Sequence, residues 1–196
     1  MERLSIVSTA EAATILRAGG VALVPTETVV GLVAAEPGFR RLAEIKARDP
    51  EKPIAFLCAS KEEAFGLTSG VSGVAEKLAE RYWPGPLTLV LAADAGGTVG
   101  VRVPDHPVIL ALLSAAGGPL YATSANLSGT PPPASLAEVD PRVADAVDAA
   151  IEGDTGIGEA SAVVDLSGAE PRLLRASSEL TEKKLLRLAG ELRENI

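Results

Sequence analysis

Thr98-Val99-Gly100-Val101-Arg102-Val103 reads as a strand whose two faces differ in kind. Successive side chains of an extended chain point to opposite sides, so Val99, Val101 and Val103 share one face and Thr98, Gly100 and Arg102 the other. The valine face suits a core. The second face sets a hydroxyl, an open space and a fixed cation side by side. That pattern suits a bound anion, or equally a half-buried strand whose arginine meets solvent.

The flanking segments supply partners for such a strand. Ser8 with Glu11 has the spacing of a capping box, which predicts a helix through Ala18 that Gly19 and Gly20 end before an apolar strand, Val21 to Val24. The same reading predicts helices over Phe39 to Ala47, Lys61 to Phe65 and Val74 to Tyr82, with strands over Ile54 to Cys58 and Leu87 to Leu91. Pro107 opens a helix to Ala115, and the strand Leu120 to Thr123 follows Gly117-Gly118. After a loop at Pro131 to Pro133 come a helix over Leu136 to Val147, short strands at Ala162 to Leu166 and Leu173 to Arg175, and a terminal helix from Ser178. Strands and helices do not alternate strictly, so the expected fold is α/β with a mixed sheet.

The chain has 196 residues, 47% hydrophobic but only 3% aromatic, so one domain over 1–196 with a Val, Leu, Ala and Ile core is expected. Its net charge of -8 opposes nonspecific attraction to nucleic acid unless the cations cluster. One cysteine, Cys58, and one histidine, His106, cannot assemble a Cys/His metal cluster or an intramolecular disulfide. Met1 to Ser5 lacks a signal-peptide layout and no apolar run approaches a bilayer span, which places the chain in the cytoplasm with no membrane partner.

Several short segments carry polar groups at strand ends. Pro25-Thr26-Glu27-Thr28 follows a strand, and its two threonines offer hydroxyls to a ligand or satisfy a local turn. Lys46, Arg48 and Lys52 put three cations within seven positions, an anion cradle or a solvated helix end. Ser124 and Asn126 continue a strand and turn a hydroxyl and an amide to one side. Ser161 begins one strand and Arg175 ends another, at termini where α/β proteins place ligands. Cys58 reads as core, His106 as a cap and Trp83 as corner packing, and neither a Walker sequence nor a dinucleotide glycine fingerprint is present.

Taken in order, Pro25-Thr26-Glu27-Thr28, Lys46-Ala47-Arg48 with Lys52-Pro53, Pro84-Gly85-Pro86-Leu87-Thr88, Val101-Arg102-Val103-Pro104 with His106-Pro107, and Thr123-Ser124-Ala125-Asn126-Leu127-Ser128-Gly129 resemble the YrdC family of threonylcarbamoyl-AMP synthases. A Ser-x-Val-Val-Asp segment at Ser161 to Asp165 extends the match, which runs from about Ala12 to Arg175. The resemblance implies a twisted YrdC-like sheet around a large concave cavity. It implies an enzyme, a nucleotidyltransferase joining L-threonine, bicarbonate and ATP into threonylcarbamoyl-AMP with release of pyrophosphate.

By matching position, Lys46, Arg48, Lys52, Ser124, Asn126 and Arg175 would contact ATP, with Thr98 near the nucleotide and Lys46 and Arg48 in catalytic roles. Thr28, Arg102 and Ser161 would hold threonine. Mg2+ would accompany the nucleotide, the metal ligands being unassigned, and the product would pass to the tRNA threonylcarbamoyltransferase machinery for modification of tRNA adenosine. Val30 departs from the family, which usually carries Tyr there, and the stretch from Gly31 to Lys46 is a few residues short. The chain also ends soon after the matched region, without the extra C-terminal domain of longer relatives. Two other readings use the same residues: an RNA-binding or ribosome-associated module, and a paralogue with an altered substrate.

Overall fold

The computed structural model describes residues 4–47 and 54–193. Its strands are β1 (Val21–Val24), β2 (Gly31–Ala34), β3 (Ala55–Leu57), β4 (Leu87–Ala92), β5 (Thr98–Arg102), β6 (Leu120–Ser124), β7 (Ala149–Ala150), β8 (Ala162–Asp165) and β9 (Arg172–Arg175). Its α-helices are α1 (Thr9–Arg17), α2 (Phe39–Ile45), α3 (Lys61–Phe65), α4 (Gly73–Tyr82), α5 (Pro107–Ala116), α6 (Pro141–Ala144) and α7 (Glu182–Arg193). The described residues form a nine-stranded sheet in the order β7-β1-β2-β6-β3-β5-β4-β8-β9. β1 with β7, β3 with β5 and β4 with β8 run parallel and the other neighbours antiparallel, so the sheet is mixed, as the irregular alternation implies.

The two-residue period of the central strands separates core from site. Leu87, Leu89 and Leu91 of β4, Val99 and Val101 of β5 and Ala162 and Val164 of β8 pack with residues of α4 and α7 in one buried cluster. Each such leucine removed from water contributes about 2 kcal/mol. Thr88 and Val90, Gly100 and Arg102, and Ser161 and Val163 alternate with them and face the other way, into a cavity. A second cluster packs α1 and α5 against β1, and a third holds Leu32 of β2, Leu42 of α2 and Val139. The capping box on α1 is formed: Ser8 Oγ accepts from Glu11 N at 3.3 Å, and a Glu11 oxygen accepts from Ser8 N at 2.9 Å.

Four expectations need correction. The helix expected over Leu136 to Val147 is a 3-10 turn at Leu136–Glu138 followed by the short α6, because Asp140 precedes Pro141, is extended, and caps a new helix by accepting from Arg142 N at 2.9 Å. The helix expected to reach Ala47 stops at Ile45, where Lys46 caps it and Ala47 takes a left-handed φ of 47°. The terminal helix starts at Glu182 rather than Ser178, whose backbone and hydroxyl are held by Glu159 instead. β2 and the two-residue β7 were not expected at all. β2 lies in Val29 to Ala35, a short apolar run without two-residue alternation that periodicity alone does not assign, and β7 offers only two alanines.

Among the described residues no helix is long and apolar enough to cross a membrane. Cys58 is fully buried beyond the end of β3, and burial, aided by the nearby charge of Glu63, pushes its thiol pKa up to about 12. The protonated thiol is therefore the native form well into alkaline solution. At pH 8 the native protein is expected to react with an aromatic disulfide reagent at least about a hundredfold more slowly than the urea-unfolded chain. Equal rates, followed by absorbance, would show that the residue is open to solvent.

Candidate functional site

The cavity-facing residues of β3, β4, β5, β6 and β8 enclose a space of about 290 Å3. It narrows where two chains approach: a Cβ on Gly100 would lie 3.1 Å from Ala55 Cβ, so the expected open space beside Gly100 is already filled by a neighbouring strand. Two arginine-hydroxyl pairs occupy this space.

Arg102 is 7% exposed and draws on two separate segments. Its Nε donates to Gly85 O at 3.2 Å, its Nη2 donates to Thr28 Oγ1 at 3.0 Å, and the same Nη2 lies 2.5 Å from Glu27 Oε1. The last contact is an ion pair without hydrogen-bond alignment, since neither Glu27 oxygen has a hydrogen-bond partner. Thr26 Oγ1 donates to Val29 O at 2.7 Å, so the 2.9 Å contact between the two threonine hydroxyls is made by the Thr28 proton. The Thr26 hydroxyl thus serves the local turn, while Thr28 presents its lone pairs to Arg102.

Arg175 pairs with Ser161 in the same fashion. Its Nε donates to Ser161 O at 2.7 Å and its Nη2 to Ser161 Oγ at 3.1 Å, and Ser161 Oγ lies 3.0 Å from Thr88 Oγ1. Burial of the guanidinium, together with the like charge of Arg102, lowers the Arg175 pKa from the ordinary arginine value. One side of the residue stays open to solvent, at the mouth of the cavity. The three ion pairs among the described residues do not include Arg175.

Thr123, Ser124 and Arg175 join this space to a recess of about 290 Å3 that Lys46 and Asn126 also line. Lys46 is 4% exposed, and its Nζ donates to Ser124 O at 2.5 Å, Asn126 O at 2.6 Å and Asn126 Oδ1 at 3.2 Å. Ser124 Oγ donates to the same Asn126 Oδ1, and Asn126 Nδ2 closes the following loop on Leu127 O and Thr130 O. These groups satisfy one another and keep the recess polar.

Of the residues singled out from sequence, Thr28, Ser124, Ser161, Arg102 and Arg175 therefore line one cavity, with Lys46 and Asn126 in the adjoining recess. Thr98 stands exposed at the start of β5, outside the lining of both spaces, and Arg48 and Lys52 lie outside the described residues. His106 and Trp83 play the expected structural parts: His106 Nε2 lies 2.9 Å from Asp154 O, and Trp83 Nε1 donates to Leu87 O at 2.6 Å. Val30 packs in the third core cluster, away from the cavity wall. Glu27 was passed over as a charged residue between two threonines; its contact with Arg102 joins positions 75 apart in the chain and left no local signal. Among the described residues no three metal-ligating side chains come together.

The sequence model of the Sua5/YciO/YrdC family, described as telomere recombination, matches residues 14–177. The threonylcarbamoyl-AMP synthase of Pyrococcus abyssi is 38% identical over 195 residues, which cover 93% of this chain and 57% of that protein. A putative threonylcarbamoyl-AMP synthase of Mycobacterium tuberculosis is 35% identical over 183 residues, covering 86% of this chain and 83% of the relative. The crystal structure of P. abyssi Sua5 complexed with L-threonine superposes with a TM-score of 0.84 at 36% identity, covering 93% of this chain and 57% of that one. The chain thus spans little more than half the length of the P. abyssi protein.

The buried ammonium of Lys46 makes a prediction of its own. Lys46→Met removes this donor from Ser124 O and Asn126 O, while Asn126 Oδ1 keeps Ser124 Oγ, and should lower the unfolding free energy by about 2 kcal/mol. A urea titration at unchanged m-value measures this, and an unaltered midpoint would show that the oxygens find other donors.

Proposed function

Because the chain belongs to the Sua5/YciO/YrdC family, we propose that it is an L-threonylcarbamoyladenylate synthase, a nucleotidyltransferase acting in the cytoplasm on L-threonine, bicarbonate and ATP. One observation carries the reading. Two arginine-hydroxyl pairs, Arg102 with Thr28 and Arg175 with Ser161, meet in one cavity that opens onto the recess holding Lys46 and Asn126. A carboxylate and a triphosphate both require dense, preorganised donors in a water-poor space, and a guanidinium grips a carboxylate through two parallel N–H groups.

In this reading Arg102, Thr28 and Ser161 hold the threonine carboxylate and hydroxyl. Lys46, Ser124, Asn126 and Arg175, joined by Arg48 and Lys52, hold the nucleotide, with Thr98 on its periphery. The names of the P. abyssi and M. tuberculosis relatives, and the threonine bound to P. abyssi Sua5, support the choice of activity and of threonine as a substrate. The threonine amine and bicarbonate condense to a carbamate with loss of water. A carbamate oxygen then forms a bond to the α-phosphorus as the bond to the bridging oxygen breaks and pyrophosphate departs. Mg2+ enters as MgATP, a part of the substrate, and cations of the site, Arg48 among them, stabilise charge on the leaving group. The product passes to the enzymes that complete threonylcarbamoyl modification of tRNA.

The test is pyrophosphate release from ATP and bicarbonate with threonine, with serine or with no amino acid. Release is expected only with threonine, and Arg48→Ala should reduce it by at least about a hundredfold while the circular dichroism spectrum is retained. Release independent of the amino acid would overturn the synthase assignment. Salt-sensitive binding of unmodified tRNA without release would favour the RNA-binding module.

A further inference from the structure

We infer that Glu27 determines how the cavity sorts its anions: its charge reserves Arg102 for a monoanionic carboxylate and keeps polyphosphate on the Arg175 and Lys46 side. The inference rests on the synthase reading above and deepens it.

The carboxylate of Glu27 is buried, lies against Arg102 Nη2, and has no hydrogen bond on either oxygen. A buried carboxylate without hydrogen bonds is poorly solvated, and the contact that holds its charge is the one with Arg102. Its electrostatic effect is a physical reason for it to stand there.

Glu27 is also held in place. Gly156 N donates to Thr26 O at 3.2 Å, Ile157 N to Glu27 O at 2.7 Å and Gly158 N to Thr28 O at 2.8 Å. A Cβ on Gly156 would approach Glu27 O to 2.4 Å, so this strap requires glycine to sit so close. The carboxylate cannot withdraw with its backbone when a ligand arrives.

The charge pattern that results is uneven. Arg102 is already neutralised, so a single arriving carboxylate leaves one net negative charge there, whereas a pyrophosphate moiety would add several beside Glu27. At the other end, among the described residues, Arg175 has no ion pair, Lys46 lines the recess with it, and no acidic side chain lines either space. Coulomb repulsion in a partly desolvated site is strong enough to separate the two anion classes.

Calorimetric titration with inorganic pyrophosphate and with L-threonine, at fixed ionic strength, tests this on wild type, Glu27→Gln, Glu27→Asp and a control, Glu80→Gln, that removes an exposed charge. In wild type, saturating pyrophosphate should leave threonine affinity unchanged within about twofold. In Glu27→Gln, pyrophosphate should bind about tenfold more tightly and displace threonine, as expected when a like charge leaves an anion site. Glu27→Asp and Glu80→Gln should behave as wild type.

Pyrophosphate that displaces threonine from wild type, or binds wild type and Glu27→Gln alike, overturns the inference. If Glu27→Gln does not fold, the wild-type competition decides alone. Threonine that binds no variant defeats the synthase reading, while pyrophosphate binding to wild type and Glu27→Gln still decides the role of Glu27.

Discussion

A guanidinium cannot shed its charge by losing a proton, so the burial of Arg102 forces the surrounding chain to supply acceptors at fixed places. Two segments distant in sequence do so, the Pro84-Gly85-Pro86 corner and the Glu27-Thr28 turn, and the loop at 156–158 straps that turn in place. The corner is tied back to the same arginine's strand, since Gly85 N donates to Val103 O at 2.8 Å. Gly85 has a φ of 155° and a Cβ there would lie 2.6 Å from Tyr82 O, which leaves glycine as the residue able to turn that carbonyl toward Arg102. The arginine thus organises the mouth of β5 as much as any ligand it holds.

How much of this could be read from the residues follows from the range of each interaction. The alternation in β5, β4 and β8 is local, and the valine and leucine faces lie in the core as a two-residue period requires. The arginine-hydroxyl pairs are not local: Thr28 and Arg102 are 74 positions apart, and nothing within either segment names the other. Their convergence was legible only as a tendency of polar groups to collect at strand ends. Glu27 was illegible for a stronger reason, because a lone acidic residue in a turn usually faces water and only the tertiary fold buries it against a cation.

The helix expected over Leu136 to Val147 failed on a rule that was available. Pro141 restricts Asp140 to extended geometry, although the apolar spacing of Leu136, Val139 and Val143 suits a single helix. Those side chains do reach the core, Val139 and Val143 in the third cluster, but from two short pieces instead of one helix. Apolar periodicity reports which residues are buried. It does not report that the backbone between them is continuous.

The acidity of the chain and the basicity of its cavity are compatible because they act at different ranges. A net charge of -8 repels an extended polyanion over about a Debye length, roughly 8 Å at physiological salt, whereas Lys46 and Arg102 act across direct contacts inside walls that exclude most water. At 4% and 7% exposed, these two cations are shielded from the phosphates of a folded nucleic acid, which would need them on the surface. A small anion can enter and meet them at hydrogen-bond distance. The placement of the cations, more than their number, therefore argues for a small-molecule site over an electrostatic nucleic-acid surface.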